Sequence, residues 1–230
     1  MRNFFSVLLL LFLSMGSLQA GEWESLFNGK NLDGWKGLEK YWSVQDGAIT
    51  GESEAPVPFT NFLIYQKGEF SDFELKFDFC IFSGNSGVQY RSQAVGKPEK
   101  FGLKGYQADF DPKNSWSGTN YFQGRGIMAK RGQKTVMEKG KTPSSTEALG
   151  DFDGLAKSIK PAGKWNSYHV IVKGDHFQHF INGVLMSECT DKDPKLSLVK
   201  GTFGLQMHRT KEAGMKVQFK NILLKELNAE

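Results

Sequence analysis

Between residues 73 and 81 the apolar residues Phe73, Leu75, Phe77, Phe79 and Ile81 occupy every second position, with Glu74, Lys76 and Asp78 between them. A period of two sends one set of side chains to one face of an extended strand, whereas a helix would spread the same residues around its circumference. A sheet with one apolar face must cover that face with a second layer. Strand-length runs of this kind recur along the chain: Trp42–Gln45, Ala48–Gly51, Phe62–Tyr65, Phe73–Phe82, Gly87–Arg91, Gly105–Phe110, Tyr121–Phe122, Tyr168–Lys173, His176–Ile181, Val184–Glu188, Gly201–Met207 and Lys216–Leu224. Asp46-Gly47 and Asn182-Gly183 sit between neighbouring runs and suit two-residue hairpins, because both positions accept φ > 0. No helical period persists beyond about ten residues, so the expectation is an all-β sandwich or barrel.

The segment from Gln133 to Lys160 interrupts this rhythm. Its polar composition, with Gly and Ser, predicts a long loop with one helical turn and makes it a candidate lid. Aromatic residues make up 13% of the chain, Phe alone numbering 19, which supplies a large apolar payload for a core between two sheets.

The first twenty residues read as a secretory signal: Arg2, then the apolar stretch Phe4 to Leu13, then small and polar residues up to Ala20. The apolar run is shorter than the roughly 20 residues needed to span a bilayer. The reading is a signal peptide at 1–20 and one domain at 21–230, exported to the periplasm or the medium, with no stable membrane insertion once the signal is removed. The net charge of +4 is a weak excess, and apart from Arg2 the arginines are only Arg91, Arg125, Arg131 and Arg209. Nucleic-acid binders cluster such charge on one stripe; no stripe is present, which argues against nucleic acid as a partner. Cys80 and Cys189 allow either a disulfide in an oxidising compartment or two buried thiols.

Alternation also sorts the polar residues. Gln89 and Arg91 share one face of their strand opposite Val88 and Tyr90; Gln107 pairs with Asp109, and Gln206 with His208. Such sets can be ordinary solvent faces. The residue types argue otherwise, since exposed strand positions elsewhere use Lys and Glu. Amides and a carboxylate make the directed hydrogen bonds that sugar hydroxyls need, while Asp109, His208 and Arg91 supply a base, a titratable imidazole and a fixed cation. In Gly84-Asn85-Ser86-Gly87 the glycines either make a tight turn or let the backbone approach a ligand, with Asn85 and Ser86 as donors; Gly124 and Gly126 free the backbone to aim Arg125. No phosphate loop is present.

Asp109, Asp111, Asp151 and Asp153 admit a divalent cation such as calcium, although the EF-hand order is absent. The four histidines, His169, His176, His179 and His208, lack zinc spacing. His179 is read as a packing residue ahead of a cleft-rim role.

These residues together resemble the 3-keto-disaccharide hydrolase family. The resemblance is carried by Leu26-Phe27-Asn28-Gly29-Lys30-Asn31-Leu32-Asp33-Gly34-Trp35, Trp42-Ser43-Val44-Gln45-Asp46-Gly47, Ser71-Asp72-Phe73-Glu74-Leu75, Gly84-Asn85-Ser86-Gly87-Val88-Gln89-Tyr90-Arg91 and Gly105-Tyr106-Gln107-Ala108-Asp109. Gly163-Lys164-Trp165-Asn166, Ile181-Asn182-Gly183, Gly204-Leu205-Gln206-Met207-His208 and Val217-Gln218-Phe219-Lys220-Asn221-Ile222 complete it. The resemblance implies a concanavalin-like jelly roll of two antiparallel sheets and an exported enzyme that cleaves 3-keto-glycosides by elimination and hydration. Nothing in the sequence requires a cofactor, and a divalent metal stays open. Some members carry a glutamate near Gln107; with an amide here, the role of base falls to Asp109 or to another residue, and Asp109 is the expected one. Arg91 and His208 are then expected to stabilise the oxyanion or protonate the leaving oxygen. Gln89, Gln107 and Gln206 would hold hydroxyls, and Arg125 would close one side. An ordinary glycosidase would need two carboxylates across the bond, about 5–9.5 Å apart, and this face offers one. The rival reading is a non-catalytic glycan-binding module, for which Trp116 and Tyr121 are candidate stacking platforms.

Overall fold

The computed structural model describes residues 21–139 and 142–227; the expected signal segment lies outside the described residues. Two sheets face each other. The larger has ten strands, in the order Ser144–Ala148, Gln133–Met137, Val184–Asp191, His176–Ile181, Asn166–Lys173, Phe73–Ser83, Met215–Glu226, Ala48–Ser53 and Trp42–Gln45, with Glu24–Ser25 added beside Met215–Glu226. The smaller has seven: Gly126–Ala129, Asn120–Phe122, Gly102–Phe110, Ser86–Val95, Thr202–Met207, Asn61–Tyr65 and Trp35–Lys36. Pairing is antiparallel except between Gln133–Met137 and Val184–Asp191. This is the two-sheet, nearly all-β architecture the alternation implied.

The core lies between the sheets and is largely aromatic. Phe79 of the larger sheet stacks on Phe110 of the smaller at 4.1 Å, and Phe77 stacks on Tyr168 at 5.2 Å. Both predicted hairpins have the required backbone: Asp46 and Gly47 at φ 50° and 72°, Asn182 and Gly183 at φ 50° and 81°. His179 is fully buried between two tyrosines, with Tyr90 Oη 2.9 Å from Nε2 and Tyr168 Oη 3.1 Å from Nδ1. Burial lowers its pKa to about 3, so it packs as a neutral imidazole. Cys80 and Cys189 are both free and buried.

The structure corrects the reading of 133–160. The expected long loop contains the strands Gln133–Met137 and Ser144–Ala148, and the expected helical turn is Phe152–Ala156. The pair is a hairpin on the rim of the larger sheet, anchored where Thr135 Oγ1 donates to Met128 O at 2.8 Å. All five residues of Ser144–Ala148 are exposed, as an edge strand rich in Ser and Thr permits, so neither face carried an apolar signature. No helix among the described residues is long and apolar enough to cross a membrane.

Candidate active site on the smaller sheet

Three adjacent strands of the smaller sheet, Gly102–Phe110, Ser86–Val95 and Thr202–Met207, turn their core-facing residues toward the larger sheet and their polar residues outward. Gln107, Asp109, Gln206 and His208 line one cleft of about 340 Å³ with Asn85 and Trp116. That volume is at the small end of the roughly 300–1,000 Å³ typical of small-molecule sites. The cleft also takes in Tyr121, Gln123 and Thr60. Gln123 lies on the Tyr121 face, one alternation further on, and that pattern could have found it. Thr60 precedes its strand, where no periodicity applies; its Oγ1 accepts from Arg209 N at 3.1 Å, tying the loop to the residue after His208.

A chain of amides forms the floor. Gln89 is fully buried beneath the cleft: its Nε2 donates to Gln107 Oε1 at 3.3 Å, while its own Oε1 accepts from Ser92 Oγ at 3.0 Å. Gln206 Nε2 donates to the same Gln107 oxygen at 3.0 Å. With its oxygen engaged twice, Gln107 presents its NH₂ to Gln206 Oε1 and to the Asp109 carboxylate. Gly87 makes room for this layout. A Cβ there would stand 2.7 Å from Ala108 O and 2.8 Å from Gln107 Cγ. The space a side chain would take at Gly87 is filled by the chain's own Gln107, and at the head of the stretch Gly84, at φ 83°, makes the turn.

Asp109 is 6% exposed. Asn85 Nδ2 donates to its Oδ1 at 3.1 Å. Burial raises its pKa to about 7, outweighing the hydrogen bonds from Asn85 and Gln107 that lower it, and the nearby charge of Asp111 raises it further. A carboxyl group balanced between its two forms near neutral pH is suited to take a proton and return it. Burial, the largest cause, lowers the pKa of His208, which therefore enters the cleft as a neutral imidazole.

Arg91 is not in this cleft, contrary to the sequence expectation. The register between Ser86–Val95 and Gly102–Phe110 slips between the pairs Tyr90↔Tyr106 and Gln93↔Lys104, leaving Arg91 and Ser92 together in a bulge. Arg91 adopts φ 46°, so alternation resets and its side chain follows Tyr90 away from the cleft. There Nε donates to Ser71 O at 2.6 Å, Nη1 to Gly174 O at 2.7 Å and Nη2 to Asp72 Oδ1 at 2.8 Å, with the guanidinium over the Phe177 ring. Arg125 is also placed elsewhere. It forms a two-pronged pair with the buried Asp191, at 2.5 and 3.1 Å, and Tyr106 Oη donates to that same carboxylate at 2.6 Å. Its charge is spent on folding rather than on closing the cleft.

Asp111 organises the loop that carries Trp116. Its carboxylate accepts from Trp116 N at 2.6 Å and Lys113 N at 3.3 Å. Asp151 caps the short helix through Gly154 N. The aspartates that admitted a cation are thus partly engaged by backbone donors, and among the described residues no group of three or more His, Cys, Asp or Glu could hold a metal.

Residues 22–225 match the family described as the 3-keto-alpha-glucoside-1,2-lyase-like domain. The chain belongs to this family. Membership makes it a carbohydrate-active, hydrolase-like domain. A 3-keto-disaccharide hydrolase of Bacteroides thetaiotaomicron is 33% identical over 102 residues, a match covering 38% of this chain and 35% of that protein. Among solved structures, a putative glycosyl hydrolase from Parabacteroides distasonis superposes with a TM-score of 0.57 at 22% identity, over 90% of this chain and 94% of that one. The carbohydrate-binding module CBM66 from Bacillus subtilis superposes with a TM-score of 0.56 at 20% identity, over 84% and 96%. At these identities the two structures speak for the fold, which is that of the family's jelly roll.

Proposed function

We propose that this protein cleaves the glycosidic bond of 3-keto-glycosides by elimination and hydration, with Asp109 as the base. The observation that carries the reading is one nearly buried carboxyl group, poised near pH 7, in a small cleft otherwise built of amides, an imidazole and aromatic rings. A ketone at C3 acidifies the C2 hydrogen. The Asp109 carboxylate takes that proton, and the C2–H electron pair forms the enolate. The enolate collapses to a C1=C2 double bond and expels the oxygen on C1, which takes up a proton. Water then adds its hydroxyl to C1 and a proton to C2, so the sum is hydrolysis. The second N–H of Gln206, whose first goes to Gln107, and the His208 ring are the donors available to the enolate oxygen, and their layout before substrate arrives is what makes such donors effective. Arg91 and Arg125 have no part in this scheme.

The test compares purified protein on 3-keto-glucosides and on their unoxidised parents. Turnover of the oxidised members alone is expected; cleavage of both at similar rates would point to ordinary glycosidase chemistry. A second reading, a glycan-binding module, is favoured by Trp116, which is 43% exposed at the cleft mouth and offers a stacking face. Under that reading Trp116→Ala abolishes glycan retention and no substrate is turned over. Under the enzyme reading the same variant weakens KM while turnover at saturation persists.

We further propose that the protein is exported after removal of residues 1–20, on the order of charged, apolar and small residues there. N-terminal sequencing of protein recovered outside the cytoplasm is expected to begin at or near Gly21. An intact Met1 form confined to the cytoplasm is the contrary result.

A further inference from the structure

Trp116 also lines a second, larger cleft of about 550 Å³, with Phe152, Ile127, Lys130 and Arg131 among its walls. Among the described residues no aspartate or glutamate lines it, and two cations do. Arg131 is 2% exposed. Its Nε donates to Phe152 O at 2.8 Å and its Nη1 to Ser117 O at 2.5 Å, while the guanidinium stacks on the Phe152 ring at 3.8 Å. Neither of those bonds uses Nη2. Arg91 and Arg125 each pair directly with a carboxylate, whereas Asp111 and Asp153 reach Arg131 only through space.

A buried cation without a contacting carboxylate is costly to keep. Held against an open cleft beside a second cation, it makes the cleft attractive to an anion. The rims add a second property. Trp116 and Phe152 are 43% and 36% exposed, and aromatic faces in such positions stack on rings. Trp116 borders both clefts, which places this one next to the Asp109 site.

We infer that this cleft receives the leaving portion of the substrate and selects one that carries a carboxylate on a ring, either a uronic acid or a carboxylated aryl group. The inference rests on the proposed cleavage at the Asp109 cleft. Lys130 supplies long-range attraction and Arg131 the directed donor, with the ring between Trp116 and Phe152. The acid and its neutral counterpart have nearly the same shape, so charge alone separates them.

Two matched pairs of probes test this by calorimetry: 4-carboxyphenyl glucoside against its 4-carboxamide, and a glucosyl-glucuronic acid disaccharide against glucosyl-glucose. The acidic member of at least one pair is expected to bind roughly 10-fold tighter or more at low salt, the scale of one charge-assisted hydrogen bond. The preference should shrink as ionic strength rises. The pair that shows it tells an aryl acid from a uronic acid. Lys130→Glu lies on an exposed residue and should fold normally while cutting or reversing the preference. Arg131→Gln, where it folds, should remove it. Equal binding of acid and neutral partner by the wild-type protein overturns the inference, as does a preference untouched in both variants. Failure of the cleavage reading looks different: the acid preference persists, but no 3-keto-glucoside is turned over.

Discussion

Replacing Asp109 with asparagine is expected to lower turnover of a 3-keto-glycoside roughly 10²–10⁴-fold, the usual contribution of positioned proton transfer. The amide keeps the shape of the carboxyl group and one acceptor for Asn85, so substrate should still bind and the loss should fall on kcat rather than KM. Stability should move the other way. The folded pKa of Asp109 lies near 7, above its ordinary value, so the folded state retains a proton that the unfolded chain has given up. Stability from this group is therefore present below about pH 4 and is lost as pH rises toward 7, levelling beyond it. Asparagine removes that dependence. The variant should have a higher midpoint of denaturation than wild type at pH 8, with the difference closing toward pH 4. The wild-type rate should rise with pH through about 7 as the carboxylate forms. An asparagine variant with unchanged turnover would exclude Asp109 as the base. A variant with no gain at pH 8 would mean that burial does not set its pKa.

Much of the fold was legible because alternation is a local property. Phe73–Ser83, Asn166–Lys173 and Met215–Glu226 each present one apolar face to the same core, and their sequences say so without knowledge of their partners. The Asp46-Gly47 and Asn182-Gly183 turns were equally readable, since φ > 0 at both positions is a demand that few residues meet. Trp35–Lys36 and Gly126–Ala129 were not read as strands; they are the two short edge strands of the smaller sheet, and neither carries an alternation of its own. The site divides along the same line. Gln107, Asp109, Gln206 and His208 share a cleft because their strands keep period two up to those positions. Arg91 departs from its set because alternation counts residues and cannot see a bulge. That bulge depends on the partner strand, where Gly105 leaves space that Ser92 fills: a Cβ on Gly105 would overlap the Ser92 hydroxyl. Arg125 was misread for a different reason. Its partner Asp191 is 66 residues away, and nothing in the flanking glycines announces a distant carboxylate.

Arg91 gives the second large effect, and it is one of stability. Its side chain is 2% exposed and joins three separate pieces of backbone: Ser71 ahead of a long strand, Gly174 in the turn between two strands, and Leu198 in the loop before Thr202–Met207. Arg91→Ala strips donors from those carbonyls and leaves Asp72 without its cation, although Gly174 N still donates to Asp72 at 3.1 Å. Breaking one side of a buried pair typically costs about 3–5 kcal/mol. Asp72 is 16% exposed, so water can relieve part of that penalty, and the lower half of the range is the better expectation. Arg91→Lys keeps the charge but cannot reach Ser71, Gly174 and Asp72 with one planar fork, so it should fall between alanine and wild type. Urea titrations would read these differences as shifts in midpoint at constant slope. The discriminating measurement is turnover, assayed well below each variant's midpoint. A side chain turned away from the Asp109 cleft should leave kcat per folded molecule within a few-fold of wild type in both variants. A loss of 10²-fold or more in folded Arg91→Lys would place the guanidinium back among the reacting groups and contradict the bulge as the reason for its position.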